Sequence, residues 1–130
     1  MSARRDALVG AARLIEQIND IAIANAPDGR TTVGQLQLFP NSRNVIPGQV
    51  HFTVDMRHPT PEVLTEMAHS MHRTFEGTCK NSNLKGNLEE IWYSPPTALK
   101  KPWSRNNWIQ LKRKLKRRRF IATFGRPNFL

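Results

Sequence analysis

Hydrophobic and polar positions recur with two different periods along residues 1–94, and each change of period marks an element. Between residues 3 and 25, Leu8, Ala11/Ala12, Ile15, Ile18 and Ala22 recur at helical spacing, with Leu14 and Ile21 flanking the stripe. Arg13, Glu16, Gln17 and Asp20 fill the remaining surface. This period predicts an amphipathic helix that buries one face. Ala26-Pro27-Asp28-Gly29 ends it, because proline cannot continue the ladder and Asp-Gly supplies turn chemistry. The period then drops to two. Thr31 to Phe39 reads as a strand with Gly34, Leu36 and Leu38 on one face and Gln35 and Gln37 on the other. Gln49 to Arg57 reads as a second strand, with Val50, Phe52, Val54 and Met56 facing one way and His51, Thr53, Asp55 and Arg57 the other. The loop between them, Pro40 to Gly48, is longer than a tight hairpin requires and carries Asn41, Ser42, Arg43 and Asn44.

After the break at His58-Pro59, Thr60 is a good N-cap and Pro61 suits the first helical position. Leu64, Met67/Ala68, Met71 and Phe75 form the apolar stripe of a second helix, expected to end near Gly77. Lys80 to Lys85 reads as a polar link, and Asn87 to Tyr93 as a third strand stopped by Ser94-Pro95-Pro96. The order is helix, strand, strand, helix, strand. One more strand in front makes it βαββαβ, so the expected fold is α+β: a ferredoxin-like two-layer sandwich with two helices on one face of an antiparallel sheet, lacking its first strand. Such a sheet exposes an edge, and the chain reads as truncated or in need of a partner.

Charge divides the chain in two. Residues 1–99 hold nine Lys/Arg and ten Asp/Glu, a net of −1, whereas residues 100–130 hold eleven Lys/Arg and no acid. The overall +10 thus describes a tail, Lys112 to Arg119 above all, and the expected division is a domain over 1–98 and a basic tail over 99–130, helical or disordered. The tail could neutralise phosphates, with Trp103 or Trp108 stacking on bases; the plainer reading is a solvated, self-repelling run. Nucleic acid would be met only through this tail. No apolar run approaches the ~20 residues that span a membrane. The N-terminus has no secretory pattern, and one cysteine, Cys79, fits a reducing, cytoplasmic setting.

Catalytic chemistry finds little support. His69 and His72 stand at i, i+3, but no further Cys/His set accompanies them, so the pattern yields no metal ligands. Cys79 has no histidine implied nearby, and Glu89 and Glu90, adjacent in a strand, face opposite ways and cannot form an acid/base pair. The central loop and strand offer a different chemistry. Amide and guanidinium groups beside another guanidinium, Arg57, can clamp a carboxylate, although an ordinary hairpin with a solvated face has the same pattern.

FPNSRNVIPG followed by VDMRHP, with IWYSPP further on and RRDALVGAARLI at the start, resembles the N-carbamoyl-L-amino-acid hydrolases. These group with allantoate amidohydrolase and β-ureidopropionase among the di-zinc aminoacylase/carboxypeptidase-like enzymes, and the resemblance covers roughly residues 1–98. It implies the lid, or dimerisation, domain of a two-domain enzyme, with Asn44 and Arg57 holding the substrate carboxylate. It implies zinc (or manganese or cobalt) in the full-length enzyme, an N-carbamoyl or ureido amino acid as substrate, and a homodimer. The family's lid histidine, its first lid strand and its zinc ligands have no match here. No catalytic residue, metal ligand or cofactor is therefore expected in this piece, which should be inactive alone. The tail departs from the family, as a shifted reading frame or a gene remnant would. The other readings are a small nucleic-acid-binding protein acting through the tail, and a self-associating binding module.

Overall fold

Six elements organise the residues that the computed structural model describes, 5–94 and 116–125. Helix α1 spans Ala7–Ala24, strand β1 Arg30–Phe39, strand β2 Gln49–His58, helix α2 Pro61–Ser82, strand β3 Lys85–Ser94 and strand β4 Lys116–Gly125. Asp6 caps α1: its Oδ1 accepts from the N–H of Leu8 at 3.0 Å and of Val9 at 3.2 Å. The buried face of α1 is Ala7, Gly10, Ala11, Leu14, Ile18 and Ile21. It is therefore centred on Leu14: of the expected stripe, Ala11 and Ile18 are buried, while Leu8 and Ile15 pack at its margin. Small residues at the start of α1 allow close approach. A Cβ on Gly10 would stand 2.5 Å from Leu84 Cδ1.

Two details of α2 differ from expectation. Thr60 occupies the N-cap position without a side-chain cap bond; instead, His58 Nδ1 accepts the Thr60 N–H at 2.9 Å. The buried imidazole thus presents Nδ1 as an acceptor to the helix start. The helix also runs through Gly77 to Ser82. A mid-helix glycine costs about 1 kcal/mol, which the buried stripe Leu64, Met67, Ala68, Met71, Phe75 and Thr78 offsets. The stop comes at Asn83, whose left-handed backbone (φ 52°) lets its N–H reach the carbonyls of Cys79 and Lys80.

Both helices lie against one face of an antiparallel sheet, the α+β two-layer arrangement expected. The strand order is β1-β2-β4-β3. The open place expected in this sheet is taken by β4, from the segment that charge had set aside as a helical or disordered tail. Residues 116–125 are neither. Phe120, Ala122 and Phe124 point into the core opposite Val54, Phe52 and Val50 of β2. The small Ala122 stands across from Phe52, and Phe124 stacks on Phe52 at a centroid distance of 6.1 Å and lies tilted against Phe75 at 4.8 Å. The alternation was hard to see because the outward Ile121 is itself apolar and four basic residues precede it. The remainder of the tail, including Trp103, Trp108 and Lys112–Leu115, lies outside the described residues.

Candidate functional site

The sheet face away from the helices carries the polar chemistry. Register places its side chains in rows across β1, β2 and β4: Arg30, Arg57 and Arg117; then Thr32, Asp55 and Arg119; then Gln35, Thr53 and Ile121; then Gln37, His51 and Thr123. Each row sets directly opposed residues about 5 Å apart. At one end Asp55 gathers the cations. Its Oδ2 accepts from Arg57 Nη2 at 2.7 Å and Nε at 2.9 Å, while Arg117 Nε stands 3.6 Å from Oδ2 and Arg119 Nε 3.7 Å from Oδ1. At the other end His51 Nδ1 lies 2.9 Å from Thr123 Oγ1 and meets the ring of Phe39 edge-on at 5.6 Å. A shallow cavity of about 240 Å³ lies there, lined by Gln35, Gln37, Phe39, His51, Thr53 and Ile121 among others.

Asn44 and Arg57 do not converge within one chain. Asn44 sits exposed in the loop that closes on Gly48 N–H donating to Phe39 O at 2.9 Å, at the Gln49 end of β2. The same loop is tied to the start of α1 where Ala7 N–H meets Pro47 O at 3.3 Å. Arg57 lies at the opposite end, eight residue steps beyond Gln49, about 26 Å at the ~3.3 Å rise of a strand. The loop therefore does not lie beside Arg57 as a single clamp would require. What does lie beside Arg57 is β4, whose Arg117 and Arg119 are paired into the sheet and are not part of a solvated run. The alternation of Phe120, Ala122 and Phe124 was the signal that could have found them.

The other candidates are placed as packing or surface groups. Cys79 falls in the last turns of α2, half-buried against the core rather than in a polar link. Burial, and then the charge of Glu76, push its thiol above the ordinary range, so it stays protonated near neutral pH and is a poor nucleophile. His69 is exposed near Glu66, and His72 meets Phe120 edge-on at 6.0 Å. Glu90 faces Arg118 at 3.7 Å on the helix side of the sheet. Among the described residues no group of three or more His, Cys, Asp or Glu is placed to hold a metal ion, so a zinc centre finds no fit there. Nor, among them, is any helix long and apolar enough to cross a membrane.

Comparison with known proteins gives a consistent picture. No protein-family model matches the chain. It is 33% identical over 98 residues to an N-carbamoyl-L-amino-acid amidohydrolase of Rhizobium meliloti, covering 75% of this chain and 24% of that protein. It is 30% identical over 100 residues to the allantoate amidohydrolase of Bacillus subtilis, covering 76% of this chain and 24% of that one. Among solved structures, it matches a hydantoinase/carbamoylase family amidase of Burkholderia vietnamiensis with a TM-score of 0.71 and 46% identity, over 72% of this chain and 23% of the amidase. The chain spans about a quarter of the length of the relatives it matches.

Proposed function

From its homology to the N-carbamoyl-L-amino-acid and allantoate amidohydrolases, we propose that the chain is the substrate-carboxylate-binding and dimerising part of such an enzyme, without hydrolytic activity of its own. The observation that carries this reading is the joint match of sequence and fold to a hydantoinase/carbamoylase family amidase, 46% identical at a TM-score of 0.71. The substrate is an N-carbamoyl- or ureido-substituted amino acid. Asn44 and Arg57 each contribute to holding its carboxylate. Arg57 suits the task chemically, because Asp55 engages its Nε and Nη2 and leaves Nη1 to meet an incoming oxygen. The distance between Asn44 and Arg57 adds a condition. One small carboxylate is reached by both only if a second copy supplies the other residue, which agrees with a homodimer.

A metal centre of the family's kind has no counterpart among the described residues, so the chain is assigned no step at a metal. What it supplies is orientation: a fixed carboxylate sets where the distal carbamoyl group lies, and positioning of that kind accounts for much of an enzyme's advantage. Purified chain incubated with N-carbamoyl amino acids and zinc, manganese or cobalt should release no ammonia or free amino acid. Hydrolysis that a chelator abolishes would overturn the proposed inactivity. Titration with an N-carbamoyl amino acid, followed by NMR, should shift amide signals near Arg57 and Asn44, and Arg57→Ala should remove the shifts at both. Shifts unchanged in that variant would remove Arg57 from the site.

A further inference from the structure

We infer that the open sheet face carries a binding site for a multivalent phosphate-type oxyanion, built by Arg30, Arg57, Arg117 and Arg119. Arg30, Arg57 and Arg117 stand directly opposite one another on three neighbouring strands. Like charges so placed destabilise a sheet unless something offsets them. Among the described residues the offset for this row is incomplete. Asp55 is the carboxylate in ion-pair range of Arg57 and Arg117, and one carboxylate against the row of three guanidinium groups Arg30, Arg57 and Arg117 leaves two positive charges. The next acid on this face, Glu89, lies opposite Ile121, and counting it still leaves one. Glu90 is turned to Arg118 on the helix side.

The geometry suits phosphate. Three strands at their usual spacing make a row about 10 Å wide, enough for the oxygens of two phosphate groups and more than a single carboxylate needs. Guanidinium forks pair with phosphate oxygens bidentately. Arg30 is held in position where its Nη1 donates to Pro27 O at 2.5 Å and Gly29 O at 3.2 Å. Arg117 and Arg119 are fixed by the pairing of β4 with β2, so much of the ordering cost is met before a ligand arrives. This inference does not rest on the amidohydrolase reading, since the site stands on β4 and β1 as much as on Arg57.

The test uses the full chain at low ionic strength, titrated calorimetrically with inorganic pyrophosphate and, separately, with a short oligothymidylate. Saturable binding of pyrophosphate supports the site and names a free phosphate compound as its source; binding of the oligothymidylate alone supports it with a phosphodiester as the source. Arg117→Ala and Arg119→Ala should each weaken that binding by about tenfold, and Arg73→Ala, which removes the same charge from the outer face of α2, should leave it within about twofold. Should Arg117→Ala fail to fold, Arg119→Ala carries the test, because the Arg119 side chain is 48% exposed and outside the core. Binding of neither probe overturns the inference, as does an Arg73→Ala loss equal to that of Arg119→Ala, which would make the attraction one of total charge.

Discussion

Asp55 is the residue on which the open face turns. Its side chain is 17% exposed and faces Arg57, Arg117 and Arg119, so replacing it removes the carboxylate that these three crowded cations share. Asp55→Asn should therefore cost about 1–2 kcal/mol of stability, a figure already reduced for the partly exposed guanidinium groups. Urea midpoints at low and high salt would check it, with the deficit shrinking as salt rises. Cys79 gives a pH signature. Burial, and then Glu76, raise its thiol pKa in the folded chain above the ordinary value, so the native state binds more protons than the unfolded state as pH rises past that ordinary value. Stability falls with pH in that window, and below it the titration of Cys79 contributes no slope. Comparing wild type with Cys79→Ala from neutral to alkaline pH should show a slope difference confined to the alkaline side. Arg57 was legible in the sequence as an outward strand residue, and Asp55, two positions earlier, shared its face by the same alternation. Their meeting with Arg117 and Arg119 was not legible, because strand pairing across some sixty residues depends on packing that no local pattern displays.

At the scale of elements, β4 decides the architecture. Phe120 is fully buried between β2 and α2, and Phe120→Ala should cost about 3–5 kcal/mol. A tail in solvent would show no change, so a thermal melt separates the two cases. The strands at the sheet margins are not alike. β3 carries Lys85, Glu89 and Glu90 and an irregularity between Glu90 and Trp92, features that discourage pairing with another chain. β1 is charged only at Arg30; its irregularity lies between Val33 and Gln35, and Gln35–Phe39 pairs regularly with β2 while Leu36 and Phe39 stay 45% exposed. If the proposed dimer forms along β1, Gln37→Pro should shift the sedimentation equilibrium from dimer to monomer without altering the circular dichroism of the helices. A wild-type monomer at high concentration would remove the dimer from the proposal. Helix α1 and strand β2 were readable because apolar spacing over many residues leaves little choice of period. The end of α2 was misplaced because a glycine usually marks a stop, and here the cap at Asn83 and a buried stripe reaching Thr78 outweighed it.

For the molecule as a whole, the two-layer sandwich was legible from element order, and the likeness to carbamoylase-type amidases agrees in both sequence and fold. The sandwich was expected to lack a strand, yet it is closed by one drawn from the most basic part of the chain. That single placement buries Phe120, Ala122 and Phe124, and brings Arg117 and Arg119 to the face that holds Arg57. The oxyanion site rests on it directly, and the proposed carboxylate-binding role of Arg57 is set in the surroundings it creates. Amide hydrogen exchange on the full chain measures it most directly. The account predicts that amides of residues 117–124 exchange as slowly as those of residues 50–57, because both belong to interior strands of one sheet. Exchange of 117–124 at the rate of an open chain, with 50–57 still protected, would contradict it.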